Sequence, residues 1–598
     1  MADPEPPSLP TKDGIEAQPE SSSSSADATP SAAANNSDGR PSSPVEPPTD
    51  SVQLFRPDDE GTQMEDHDER EWVLAGRPES YYSQVLQNVR NRLLEGQGEC
   101  MCKVGVDSRG RPKGITEEDY NASLETVHRV AADLKAAATL VVEKVVKEAP
   151  KLQCAELLVR RVGEDSYIDM RIAICGNVDS GKSTFVGVLT KGVLDNGRGS
   201  VRQKVFRHKH EMDTGRTSSV SEQMMGFDAY GKVVNYEKLM SAQDEKLQKH
   251  QPSTKQISEQ SAKIITFYDL AGHEKYLKTT VLGMTGSMPD YACIVISANN
   301  GIQRMTKEHL GLCLALKIPF YVVITRIDMT PEPVTKNTTE NVLKLLKHSG
   351  VNKLPYMVRK PEDVVICAKN IKDDRIAPIF HVSNVTGDNF DLMRRYLNLL
   401  PVRRDWYGMA KEPLEVIIDS TFYVPGVGTV VGGIVTSGVL QSNDTVWLGP
   451  NANGHFRQAV VKSIHVKQCL TNHVEAGTAA CFAIKKERRS DIRKGMVLVD
   501  AKNKPAAVWE FEAEIVVLYH STTIQSNYQP VVHCGTVRQS CAIILVDRDV
   551  LRTGDKARVK FRFMYKPEYV KKGLKLIFRE GRTKGLGTIT DTFGVRSS

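Results

Sequence analysis

Gly176-Asn-Val-Asp-Ser-Gly181-Lys182-Ser183 combines residue types that together can hold a triphosphate. Glycines at both ends let backbone N–H groups close around phosphate oxygens, Lys182 neutralises the β and γ groups, and Ser183 offers a hydroxyl to Mg2+. With 43 glycines in 598 residues, this pattern is expected by chance about 0.02 times. The loop so defined comprises Gly176, Asn177, Val178, Asp179, Ser180, Gly181, Lys182, Ser183 and Thr184. Further along, Asp269-Leu-Ala-Gly272-His273 supplies a second carboxylate for the metal and a backbone N–H, at Gly272, for the γ-phosphate. His273 reads either as a surface-turn histidine or as the group that orients the attacking water. In Thr325-Arg326-Ile327-Asp328 the carboxylate can accept both N1–H and the exocyclic N2–H of guanine, which adenine cannot offer, so the nucleotide expected is GTP or GDP. Asn-Lys-x-Asp is the usual form. With Thr325 and Arg326 in place of Asn and Lys, the base contact falls mostly on Asp328, the arginine covering the ring. Ser383-Asn384-Val385 fits the last loop, where a backbone amide meets the guanine O6.

Asp269 stands 86 positions after Ser183, which leaves room for a long first switch. Within it Asp213-Thr-Gly-Arg-Thr217-Ser-Ser offers Thr217, favoured over Thr214 and Ser218, to close on magnesium beside Ser183 and Asp269. The stretch 229–262, rich in Lys, Gln, Glu and Ser, reads as a solvated insertion.

These loops need strands to end on. Ile172–Cys175, Ile264–Tyr268, Tyr291–Ile296, Phe320–Ile324 and Ile379–Val382 are apolar runs of strand length separated by helical stretches, the pattern of a doubly wound, mostly parallel α/β sheet over 169–403. From about 412 short alternating strands with Gly, Asn and Asp turns replace the helical period, which predicts two β-barrels, 412–503 and 504–598. Ahead of the sheet, Tyr81-Tyr82 and Val85-Leu86 recur at helical spacing and Thr116-x-x-Asp119 opens a second helix, so 71–168 reads as a small α/β domain. Residues 1–70, rich in Ser, Pro and Ala, read as a disordered tail.

That tail carries four basic against sixteen acidic residues, a net −12 within a chain of net +6, so positions 71–598 carry +18 and would attract a polyanion. Arg582, Lys584, Lys571, Lys572 and Lys575 could face phosphates, with a solvated basic surface as the equal alternative. Eleven cysteines without a Cys-x-x-Cys pair point to reduced thiols rather than zinc or redox chemistry. No signal-peptide pattern opens the chain and it has no 18-residue apolar run, which excludes a membrane-embedded protein and predicts a cytosolic or nuclear location.

Together the motifs resemble the translational GTPases, the superfamily of elongation factor Tu and eukaryotic elongation factor 1 alpha. The phosphate loop is similar to its Gly-His-Val-Asp-His-Gly-Lys, and Asp269-Leu-Ala-Gly-His-Glu-Lys-Tyr276 to its Asp-Thr-Pro-Gly-His-Val-Asp-Tyr, with Ala271 replacing proline. Val424–Val431 resembles the start of the second domain, Ile492–Val497 its end, and Phe578–Gly585 the end of the third. Asp195–Gly199, Phe206–His210, Gly215–Val220, Glu274–Thr280 and Val532–Gly535 resemble the eukaryotic GTP-binding protein one and two group. The resemblance implies a cytoplasmic, monomeric GTPase that hydrolyses GTP to GDP and phosphate and engages aminoacyl-tRNA and the ribosome in elongation or stalled-ribosome relief, with links to mRNA decay. It assigns water positioning to His273, a monovalent cation to Asp179 and catalysis to His273, Asp179 and Lys182. The alternative is a GTP-dependent switch that recruits protein partners without tRNA cargo. Nothing in the resemblance to elongation factor Tu accounts for 71–168.

Overall fold

The computed structural model describes residues 72–74, 77–107, 110–163, 167–241, 251–502, 504–581 and 583–594. The tail read over 1–70 and Arg582 lie outside the described residues.

Between Trp72 and Arg161, helices α1 (Glu79–Glu95) and α2 (Glu117–Asp133) cover a three-stranded antiparallel sheet of β1 (Glu99–Val104), β2 (Ala136–Glu148) and β3 (Lys151–Arg161), in the order β1-β3-β2. The Thr116 hydroxyl accepts the amide of Asp119 at 3.3 Å and caps α2 where the sequence placed its start. Trp72, Val89, Leu93, Cys102, Tyr120 and Leu157 form the core between the layers.

The next seven strands are β4 (Ile168–Gly176), β5 (Ser221–Phe227), β6 (Lys263–Asp269), β7 (Tyr291–Ser297), β8 (Phe320–Thr325), β9 (Leu354–Met357) and β10 (Ile376–His381). They lie in the order β5-β6-β4-β7-β8-β10-β9, and β5 alone runs antiparallel. Every residue of β6, β7 and β8 is buried, as expected when helices cover both faces of a parallel sheet. The helices relevant to the site are α3 (Lys182–Lys191), α4 (Ser200–Gln203), α5 (Lys209–Thr214), α6 (Thr254–Gln260), α7 (Leu277–Gly286) and α8 (Arg304–Leu316). Strands β5 and β9 carry no strong apolar run and escaped the sequence reading.

The insertion expected to be solvated exposes most of its charged residues, as at Lys232, Glu237, Lys238, Lys255 and Glu259, but is anchored by a few buried ones. Tyr236 is buried over Gly192, Met240 pairs with Val193, and Ile257 of α6 is buried. The Asn235 amide accepts the N–H of Gly226 and donates to Thr190 O and Met224 O. A polar average concealed a few inward-facing residues; 242–250 lie outside the described residues.

Two barrels follow. The first closes in the order Thr445–Gly449, Val497–Asp500, Glu415–Val424, Gly428–Ser437, Ala479–Ile484 and Arg457–Val466, the last pairing back to the first. The second closes as Glu510–Tyr519, Lys556–Phe563, Val537–Leu545, Val531–Cys534, Lys575–Glu580 and Thr583–Phe593. Both alternate inward apolar with outward polar residues.

Charged side chains join these parts. Glu99 of β1 accepts from Arg160 at 2.8 Å and from Lys263, the first residue of β6, at 2.8 Å, all three buried. Arg160 also donates to Asp228 O and Asn398, and Lys263 to the carbonyls of Asn398 and Leu400. Burial pushes the Lys263 ammonium down to about 8 despite its Glu99 partner. At the other end, Lys584 and Arg579 of the second barrel meet Glu308 of α8 at 2.8 and 3.8 Å. The basic face read from sequence is therefore largely engaged within the chain: Lys571 pairs with Glu415 at 2.5 Å, Lys575 donates to Thr588 at 2.7 Å, and Lys572 lies 3.9 Å from Asp591.

Candidate nucleotide site

Strand β4 delivers Gly176 to the sheet's carboxyl edge, and Gly181, at φ +84°, turns the chain into α3. The loop between them is tied together internally. The Asn177 carbonyl accepts from Ser180 Oγ at 3.0 Å and from Lys182 Nζ at 2.7 Å. Burial lowers the Lys182 pKa from its usual value. Asp179, at φ +58°, is exposed, and Val178, Asp179, Lys182, Ser183 and Thr184 border a cleft with Thr217, Gly272 and His273.

Three oxygens meet beneath the cleft. Ser183 Oγ donates to Asp269 Oδ2 at 2.5 Å and lies 2.9 Å from Thr217 Oγ1, which is 3.4 Å from the same carboxylate oxygen. Burial pushes Asp269 up to about 6, opposed by Lys182, Ser183 and Thr217, and its Oδ1 is buried with no partner among the described residues. Two hydroxyls and a carboxylate with an unused oxygen are a hard-oxygen set suited to Mg2+. Of the threonines and serine weighed for the first switch, Thr217 is the one brought to this set. Its neighbour Ser218 bonds instead to Glu211 and His210, and Thr214 to His210 O.

Gly272 approaches the loop so closely that a Cβ there would meet Lys182 Nζ at 2.5 Å and Asn177 C at 2.7 Å. The half-buried His273 accepts the amide of Lys275 on Nδ1 at 3.1 Å and packs edge-on against Tyr276, which leaves Nε2 as its remaining polar atom. On the far side, Ser383 Oγ donates to Asp328 Oδ1 at 2.8 Å and accepts the amides of Val385 and Thr386. The carboxylate and the last loop are thus joined as expected, with Arg326 beside them at φ +62°. Thr325 stands where the motif usually has Asn. It is fully buried, and its hydroxyl donates to Ser180 O at 2.8 Å, bracing the phosphate loop from below. Asn384 is likewise buried, and its carbonyl accepts the amide of Asp195.

Sequence reasoning missed four contributors. His309 of α8, fully buried, accepts the Gly176 N–H on Nδ1 at 2.9 Å, and burial pushes its pKa down to about 3. Nothing in a helix more than a hundred residues from the loop signals that contact. Buried Glu211 of α5 gathers the first switch: its carboxylate accepts the amides of Arg207, His208, Ser218 and Ser219 and both serine hydroxyls, at 2.7–3.2 Å. Burial alone would raise its pKa, but these bonds hold it at about 2. Arg202 and Arg216 also border the cleft.

A phosphate loop on a mostly parallel sheet, a buried Ser–Thr–Asp oxygen set and a carboxylate, Asp328, joined to the last loop form the arrangement of a GTPase, here followed by two barrels. The elongation factor Tu GTP-binding domain matches residues 169–418, and elongation factor Tu domain 2 matches 428–499. The chain is 48% identical to GTP-binding protein 1 of Xenopus laevis over 87% of this chain and 78% of that one, and 41% identical to GTP-binding protein 2 of Mus musculus over 86% and 85%. Elongation factor 1-alpha of Methanobrevibacter smithii is 28% identical over 66% and 89%. In fold it is similar to the elongation factor SelB of Methanococcus maripaludis solved with the GTP analogue GPPNHP, at TM-score 0.50 and 17% identity over 72% and 80%. The chain belongs to the translational GTPase superfamily, in the group of GTP-binding proteins 1 and 2. It is a GTP hydrolase that cycles between GTP and GDP.

Proposed function

We propose that this GTPase engages or delivers aminoacyl-tRNA at the ribosome, in elongation or stalled-ribosome relief, as a cytoplasmic monomer. The observation that carries the reading is a surface on the first barrel. The hairpin after Glu415 exposes Phe422, Tyr423, Val424 and Val427, and Thr429 of the same hairpin donates to Glu487 O at 2.7 Å. That bond holds the hairpin beside a loop carrying Lys485, Lys486, Arg488 and Arg489. Exposed rings next to cationic side chains suit an unpaired nucleic-acid end, through stacking and phosphate attraction. No helix of the described residues is long and apolar enough to cross a membrane.

In this reading Ser183, Thr217 and Asp269 hold Mg2+, which neutralises charge on the β and γ phosphates. Lys182 and the Gly272 N–H bind the γ-phosphate, His273 orients the water, Asp179 holds a monovalent cation, and Asp328 with Arg326 and Ser383–Val385 receives the guanine. The test is protection of the aminoacyl ester of aminoacyl-tRNA from spontaneous hydrolysis by the full-length chain, with a non-hydrolysable GTP analogue and with GDP. Protection with the analogue alone supports the carrier reading. Absence of protection in both states rejects it in favour of a switch that recruits protein partners such as the mRNA-decay machinery.

A further inference from the structure

Two guanidinium groups border the nucleotide cleft without a place in the scheme above. Neither Arg202 nor Arg216 makes a side-chain hydrogen bond or ion pair with the described residues. They differ in how they are held. Arg216 is exposed, whereas Arg202, on α4, is partly buried with its guanidinium laid across two glycines. A Cβ at Gly215 would stand 2.9 Å from Nη2 and 3.2 Å from Cζ, and one at Gly199 would stand 2.4 Å from Nε. The seat exists because both positions lack a side chain, and Gly215 also takes φ +65°, a conformation other residues rarely adopt.

A cation fixed by backbone on two sides and left without a counter-ion is preorganised for an anion that arrives later. The cleft it borders is the one bordered by Lys182, Ser183, Gly272 and His273. Its seat is also tied to the first switch, because Gly215 stands two residues before Thr217, whose hydroxyl meets Ser183 and Asp269. The guanidinium is therefore seated while Thr217 is closed on the oxygen set.

We propose that Arg202 is a cis arginine of the hydrolysis step. Water adds to Pγ, the bond from Pγ to the bridging oxygen breaks, and the bonding pair leaves with GDP. The proton of the water passes to the released phosphate, and the arginine, protonated throughout, stabilises the charge that builds on the phosphate oxygens. Because the switch backbone forms the seat, catalysis and switch closure are one event.

The test compares Arg202→Ala, Arg202→Lys, Arg216→Ala and Gly215→Ala in the full-length chain by single-turnover GTP hydrolysis, by GTP and GDP affinity, and by formation of the GDP–aluminium fluoride complex. Arg202→Ala is expected to lower the hydrolysis rate by about a hundredfold or more while nucleotide affinity stays within about fivefold, which also shows that the variant is folded. It is expected to abolish the aluminium fluoride complex. Arg202→Lys restores little, since an ammonium lacks the planar fork. Gly215→Ala, which keeps the arginine and fills its seat, is expected to lose the complex as well. A rate for Arg202→Ala within threefold of the parent, a loss of GTP affinity in proportion to the loss of rate, a hundredfold loss from Arg216→Ala instead, or full complex formation by Gly215→Ala overturns the proposal.

Discussion

His309 accepts the Gly176 amide only while its ring is neutral, and burial secures that state. An ordinary imidazole protonates near pH 6.5, but in the folded chain that of His309 does so at about 3. Below pH 6.5 the unfolded chain therefore binds a proton that the folded chain does not. The resulting stability is complete above 6.5 and falls as the solution is acidified toward 3, by about 1.4 kcal/mol per pH unit. Denaturation in urea at pH 7 and pH 5 should show a loss of about 2 kcal/mol from this residue, and His309→Asn should remove that part of the slope. At the base-reading end, Asp328→Asn should move preference from guanine toward xanthine nucleotides by at least about tenfold, read by competition binding. An unchanged preference would show that the Asp328–Ser383 pair does not read the base. The sequence identified Asp328 by its motif but did not show that Thr325 turns under the phosphate loop, because a motif position does not say which way a side chain turns. His309 was invisible, since no local pattern encodes a bond across 133 residues.

At the scale of elements, the phosphate loop, the five long strands and both barrels were legible because each rests on a short-range signal: a glycine spacing, an apolar run, an alternation. The first switch was legible only in part. Thr217 was singled out, while the carboxylate that shapes the switch, Glu211, directly follows the remarked Phe206–His210 and acts through partners on both sides of α5. Glu211→Ala removes the acceptor for four amides and two hydroxyls. It should destabilise the segment by about 2 kcal/mol or more, because buried donors are left unpaired. Hydrogen exchange at Ser218 and Ser219 should then accelerate by at least about tenfold, and Mg2+ should promote GTP binding less. Unaltered exchange at both amides would mean that the bonds form without ordering the loop.

Across the whole molecule, α8 links parts that lie far apart in the chain. It bears His309 under the phosphate loop and Glu308 against Lys584 and Arg579 of the second barrel. At its start Arg304 pairs with Glu274, next to His273, at 3.1 Å. A displacement of that barrel therefore bears on the same helix as the loop that holds the phosphates. Glu308→Gln should weaken the attachment by about 1–3 kcal/mol, leaving two cations without their carboxylate. Faster amide exchange in strands 575–580 and 583–593, with the exchange of β7 unaffected, is the expected signature. Uniform protection in both places would show that the two pairs do not fasten the barrel. None of these links could be read from composition. The +18 balance of positions 71–598 suggested a basic face, and part of that charge is matched internally by Glu308, Glu415 and Asp591.

The buried pairing of Glu99 and Arg160 with Lys263 makes the N-terminal domain part of the electrostatics of the enzyme's sheet. An ammonium shut away from water in a central strand is tolerable only with its counter-charge already in place. A chain begun at β4 would keep the ammonium and lose its carboxylate, so removing the N-terminal domain withdraws a counter-charge from the same strand that ends in Asp269.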